Sequence, residues 1–420
     1  MSPIKRLTLI VFLLFMSRGI TGPLSSLYWR SLGASFLVIG LLGTVTSVVA
    51  IVASPLWGRA SDRLGQRKLF LVGGLAVLAL CYGLLARATS AAVLFPILAL
   101  SVAAQAAYDT ASLALIGDWM EHRQESAGRG DGRSTAGRRI GTYRGLASLG
   151  FGSMAFISGS IADWSSLRVP FMLAGGILAV AFLLALGVSE PPHAAKSEDK
   201  GKADPLSGAT EPADAQPASP ARRLPLTPLL VAALLWALVV GAVYAVWGNY
   251  MVEELNYTPA QMTRLWSLAS LSEFPLMILA GWLSDRVGRL PMLAAGFVAW
   301  GMVFVGYLVA PIMPWIIGVQ LIRGFAYSAH TATAMTYASE VRARAERGRM
   351  TGVYGMAGGL GSIMGSSVGG GITEFVGFRA LIGAAAAVMS MGALYLGGAA
   401  VRARRDVTAS FALSESRAKP

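Results

Sequence analysis

Charge is scarce in this chain. Of its 420 residues only 14% are charged, while 55% are hydrophobic; a soluble domain carries about a quarter charged residues. A water-soluble globular protein is excluded on that ground, and most of the chain must sit in lipid. Cysteine is almost absent. The single one, Cys81, lies inside an apolar run, so no intramolecular disulfide is expected. His122, His193 and His330 are the three histidines, and no H-E-x-x-H occurs, which counts against a metal hydrolase and against any enzyme of that kind. No nucleotide-binding signature is found, no cofactor is expected, and an ion gradient is the expected energy source. No small-residue cleavage site follows the basic start "MSPIKR", so the first apolar run reads as an uncleaved helix.

Long apolar runs are abundant. Twelve occur, at about 7–28, 35–57, 69–86, 92–118, 141–162, 167–188, 227–251, 260–282, 291–310, 314–338, 350–373 and 379–401. Each suffices to cross a hydrocarbon core of about 30 Å as a helix. They are too long, and too rich in Gly, Ala and Leu, for transmembrane strands, which alternate over about ten residues. The net charge of +13 is topological: with the N-terminus inside, 27 of the 35 Lys and Arg fall in cytoplasmic segments and four on the other side. That bias puts both termini in the cytoplasm of a cell (inner or plasma) membrane and removes any reason to invoke nucleic acid. A monomer in the lipid bilayer is expected.

The chain repeats itself. "GRASDRLGQRK" from Gly58 returns as "GWLSDRVGRLP" from Gly281, with Asp62 and Asp285 separated by 223 residues. "GTYRGLASLG" from Gly141 pairs with "GVYGMAGGLG" from Gly352, and at that offset Gly159 and Asp163 meet Gly370 and Glu374. These matches predict a duplicated six-helix unit in parallel orientation, with a solute site between the halves. The expected organisation is an N-terminal half (1–190), a disordered cytoplasmic linker rich in Pro, Ala and charge (191–226), a C-terminal half (227–401) and a tail (402–420). The linker reads as a passive tether, with a regulatory segment as the alternative.

"GRASDRLGQRK" resembles the signature loop of the major facilitator superfamily, G-x-x-x-D-[RK]-x-G-x-[RK]-[RK], through Gly58, Asp62, Arg63, Gly65, Arg67 and Lys68. The second copy keeps Gly281, Asp285, Arg286 and Gly288 but ends in Pro291. The resemblance spans the chain and implies an all-α fold of twelve membrane helices working by alternating access. Gly58 and Gly65 suit close approach and tight turning. Asp62 is suited to a helix N-terminus, which the resemblance implies is the eleventh helix, near Met350. Two roles are open: a latch on the inner gate, or a topological anchor.

Ionisable residues at membrane depth are functional candidates. Glu273 and Asp109 are candidate proton carriers, because desolvation penalises a charged carboxyl. Arg18 and Arg323 stay charged and suit an acid partner or an anionic group on a solute. Tyr108, Tyr327 and His330 complete the candidate solute contacts. For each charged residue a structural ion pair is the competing role, and for His330 plain packing. Tyr28, Trp29 and Tyr250 read as interfacial aromatics. "SLSEFPLMILAGWLSDRVG" around Glu273 is similar to the eighth helix of nucleoside and lactose-type proton symporters, whereas "LGASFLVIGLLGTV" resembles drug exporters. The expected function is therefore proton-coupled transport of a small organic solute. A proton-driven multidrug or metabolite exporter is the alternative, and a non-transporting sensor a distant one.

Overall fold

In a computed structural model, residues 3–126, 132–190, 225–309, 311–340 and 347–418 are described. Among these the chain is helical and has no strand, as it must be where no water is at hand for the backbone. The helices are α1 (Pro3–Thr21), α2 (Ser25–Ser31), α3 (Phe36–Leu64), α4 (Arg67–Ala86), α5 (Leu94–Ser126), α6 (Gly132–Trp164), α7 (Arg168–Leu186), α8 (Leu226–Asn249), α9 (Pro259–Val287), α10 (Arg289–Val309), α11 (Met313–Glu340), α12 (Arg347–Phe375) and α13 (Phe378–Ala418). Eight are singly long and apolar enough to cross a membrane, and the pair α1–α2, bent by 49°, makes a ninth. The other three, α6, α11 and α12, are diluted by Gly, Ser, Thr and charge. The architecture is an all-α membrane fold of two parallel six-helix repeats. Most of the proposed linker, 191–224, lies outside the described residues.

The structure corrects three local expectations. The first run is not one helix: α1 stops at Thr21, where Gly22 and Pro23 follow, and resumes as α2. The signature segment is mostly helix, since Gly58–Leu64 are the last turns of α3 and Gly281–Val287 those of α9. Only Gly65 (φ 62°) and Gly288 (φ 99°) turn the chain, in a backbone region costly for any other residue. A Cβ added at Gly58 would meet no atom within 4 Å, so no close approach requires glycine there in this structure. The charges sit on helix because the helices extend past the hydrocarbon edge. Third, Tyr28 and Tyr250 are buried rather than lipid-facing. The Tyr28 hydroxyl donates to Leu85 O (2.7 Å) and the Tyr250 hydroxyl to Tyr307 O (2.8 Å).

Those two bonds are copies of each other, each spanning 57 residues. The ion pairs Arg67–Asp118 and Arg289–Glu340 (2.7 Å) are also copies, each spanning 51 residues. Each links the start of one helix to the end of the next, α4 to α5 and α10 to α11. The duplication therefore extends from backbone to individual side-chain contacts.

The halves meet along two seams, α3 on α12 and α6 on α9. Within the second half α12 also packs closely on α8. A Cβ at Gly361, Gly365 or Gly369 would overlap the carbonyl oxygens of Leu234, Leu238 and Ala242 in turn. Glycines spaced by four thus let the two backbones touch over three turns. Both ends of the described chain lie on one face: Arg6 of α1 bonds Gly187 O after α7, and Arg404 of α13 reaches Val287 O at the end of α9 (3.4 Å). We call it the terminal face.

Candidate functional site

Among the described residues the two seams are closed at one end only. On α3/α12, contacts run from Phe36 N–H to Glu374 Oε2 (2.7 Å), through Thr44 to Ser367 (2.6 Å) and Ser47 to Ser362 (3.1 Å), to Ile51 against Gly359. Nearer the terminal face no such contact is seen among the described residues: a Cβ added at Gly58, Gly352, Gly355 or Gly358 would meet no atom within 4 Å. On α6/α9 the bonds are Asp163 to Ala260 N–H (3.0 Å), Arg264 to Ser160 (3.2 Å) and Ser267 to Gly152 O (2.8 Å). Beyond them Phe274 and Ile278 are exposed. Among the described residues, the space between the halves is sealed on the face opposite the termini and open toward the terminal face.

That space is a cavity with two adjoining lobes, of about 660 and 460 Å³, sharing Val240, Tyr244 and Trp266. The upper lobe is walled by Trp29, Trp236, Tyr354 and small residues of α3 and α12. Its α8 wall is a helical stripe, Ala233, Trp236, Ala237, Val240, Gly241 and Tyr244. The lower lobe carries the charge: Glu273 of α9, Arg323 and Tyr327 of α11, with Phe15, Phe151 and Trp300.

Arg323 is buried at 3% exposure. Its guanidinium lies over Trp266 (4.9 Å), Tyr244 (5.5 Å) and Trp247 (5.8 Å), three aromatic faces that stabilise a desolvated cation. Its Nη1 has no hydrogen-bond partner among the described residues. Asp109 is paired with Arg18 (3.5 Å) and accepts from Gln105 (2.9 Å), and both charged side chains are partly exposed. Phe15 and Arg18 share one face of α1, and Phe15 and Gly22, the residue after α1, line the lower and upper lobes.

The structure brings Glu273, Arg323 and Tyr327 together and places two other candidates elsewhere. Tyr108 is not on a wall of either lobe. It is buried in a cluster with Leu71 and Leu75 of α4, because consecutive helical residues point about 100° apart and Asp109 takes the other direction. His330 is buried and stacks on Trp236 (4.5 Å, 9°), behind the upper lobe. Trp236, Trp266 and Trp300 went unnoticed in the sequence. The four-residue spacing Trp236–Val240–Tyr244 was the available signal.

In the signature segments, Arg67 pairs with Asp118, Lys68 N–H donates to Glu190 (2.5 Å), Arg286 stacks on Trp282 (3.7 Å), and Asp285 is held by Arg289 (2.5 Å). Asp62 is exposed, as is Arg63, and Asp62 has no partner among the described residues. A role for Asp62 as a latch of the terminal face predicts that it lacks a partner in a state open on that side. Asp62→Asn is therefore expected to raise alkylation, from the terminal face, of a cysteine placed at Thr46, at unchanged protein level. An unchanged rate would reduce Asp62 to an anchor.

A two-lobed cavity between six-helix halves, open to one face of the membrane, is the arrangement of a membrane transporter. Residues 4–381 match the MFS_1 like family, and the chain belongs to that family of major facilitator transporters. It is 26% identical to a "Putative sugar efflux transporter" of Deinococcus radiodurans, over 89% of this chain and 92% of that one. A mutant of the nucleoside transporter NupG shares the fold, with a TM-score of 0.77 at 15% identity, over 95% of this chain and 100% of that one. A bacterial homologue of the lysosomal transporter Spinster, solved inward-facing and unoccupied, scores 0.66 at 16% identity, over 96% of this chain and 94% of that one.

Proposed function

We propose that the chain is a proton-coupled secondary transporter that carries a small polar organic solute by alternating access, with both termini cytoplasmic. Glu273 carries the proton. Arg323, Tyr244 and Tyr327 contact the solute, and the Arg18–Asp109 pair forms the facing wall. One observation carries this reading: the lower lobe joins an acid, a buried cation with a free donor, and aromatic faces on a single wall between the halves. Aromatic rings in such a cavity suit the C–H faces of a pyranose or a nucleobase, and the few polar groups fix its orientation.

A second reading, export of a sugar, is favoured by the name of the Deinococcus relative. Purified protein in liposomes, with an internal pH dye and a panel of sugars, nucleosides, aromatic acids and drugs, tests both. Proton and solute moving the same way make it a symporter, opposite ways an exporter by exchange. A solute that equilibrates without moving protons would refute the coupling.

A further inference from the structure

A short pattern in the repeat has no part in the solute site: "GSIAD" from Gly159 and "GGITE" from Gly370. Each closes a seam helix, α6 or α12, on the face opposite the termini. A Cβ at Gly159 would overlap Pro259 O, and one at Gly370 would overlap Phe36 O. The first residue of the facing helix, in the other half of the molecule, thus rests directly on the glycine. One turn later comes the acid. Glu374 accepts from Phe36 N–H (2.7 Å), the first residue of α3, and Asp163 accepts from Ala260 N–H (3.0 Å) in α9. Pro259 holds the first position of α9 and has no N–H, so Asp163 takes the next one. Both N-termini already use their own cap: Ser35 accepts from Val38 N–H and Thr258 from Gln261 N–H. The acids fill amide donors that those caps leave free, at the positive end of the helix dipole. Neither acid has an ion-pair partner within 4 Å among the described residues.

The same helices carry an acid near their other ends. α3 closes with Asp62, toward the start of α12, and α9 closes with Asp285, toward the start of α6. Each seam is a pair of antiparallel helices with an acid toward both ends, and the acids opposite the termini bond the beginning of the neighbouring helix. In this structure the two contacts opposite the termini are made, Asp62 has no partner among the described residues, and Asp285 is turned to Arg289.

We propose that Gly159–Asp163 and Gly370–Glu374 are two symmetry-related latches that hold the face opposite the termini closed and separate when the cavity opens on that face. The proposal rests on the alternating-access reading, not on proton coupling. The glycine sets the distance at which the helix start can dock. The carboxylate then makes a charge-assisted bond that exists only in the closed state, so it biases the equilibrium between states rather than the stability of either half.

The test uses the full chain in nanodiscs, with Cys81→Ala and spin labels at Ser90→Cys and Ile312→Cys, exposed sites on the sealed face, one per half. A second pair, Gln66→Cys and Val287→Cys, reports the terminal face. The parent is expected to show mainly the short distance on the sealed face. Glu374→Gln should raise the ratio of long to short by about tenfold, and Asp163→Ala with Glu374→Ala by more, with yields and elution unchanged. Asp163→Glu, which keeps the acceptor, should change it less than Asp163→Ala. Parent-like distances in Glu374→Gln and in the double variant would overturn the latch. If solute still shifts both pairs in those proteins, alternating access survives that failure. If neither pair moves with any solute of the panel or any variant, latch and alternating access fall together.

Discussion

Glu273→Gln is expected to abolish accumulation driven by a proton gradient while leaving solute exchange measurable. The amide keeps the size and hydrogen-bonding reach of the side chain but cannot load and release a proton. A driving force of about 100 mV is worth about 2.3 kcal/mol per charge, or about fifty-fold in concentration. Accumulation should fall from that order to unity, while counterflow between equal solute pools stays within a few-fold of the parent. Asp109→Asn should behave differently. It strips Arg18, within a membrane helix, of the carboxylate 3.5 Å away, so loss of binding or of folded protein is expected before loss of coupling. Accumulation retained in Glu273→Gln and lost in Asp109→Asn would exchange the two roles. Accumulation retained in both would remove protons from the mechanism of these acids altogether.

Arg323→Gln is expected to lower solute affinity by at least about tenfold without lowering thermal stability. The lost hydrogen bond from the charged guanidinium is worth about 1.5–3 kcal/mol to a polar ligand. The protein itself loses little, because burying the charge is costly and a neutral replacement removes that cost. Arg323→Lys should not restore affinity, since an ammonium cannot present a planar face to Trp266, Tyr244 and Trp247 together. Equilibrium binding and thermal unfolding, measured on the same samples, separate the roles. Parent affinity with a lowered unfolding temperature would make Arg323 a structural cation.

The membrane fold was readable because lipid leaves few options. Apolar runs of membrane length must be helices, and a charged motif at a repeat offset betrays the duplication. Glu273, Arg323 and Tyr327, which line one lobe of the cavity, were legible because ionisable or aromatic groups at mid-span stand out. What escaped was direction. Tyr108 and Asp109 are adjacent in sequence and face different ways, which no count along the chain resolves without knowing the helix rotation. Tyr28 and Tyr250 were assigned to the lipid interface by their place at helix ends. The carbonyls they bond, on Leu85 and Tyr307, are 57 residues away and carry no side-chain signature. The aromatic wall of α8 hid for a related reason: in a helix apolar all round, a tryptophan facing a cavity and one facing lipid look alike.

The glycine contact between α8 and α12 has a mechanical consequence. Backbones that touch over three turns cannot slide past each other without collision, so the two helices move as one lever. One arm is α12, whose Gly370 docks against Phe36 at the sealed end. The other is α8, whose Trp236 and Tyr244 form a cavity wall. A solute that pushes on those rings therefore does work on the docking point, and by linkage the docking point acts on affinity for the solute by the same factor. Bulk added at Gly365 would disconnect the arms. Such a protein would bind its solute and rock between faces as two unlinked events.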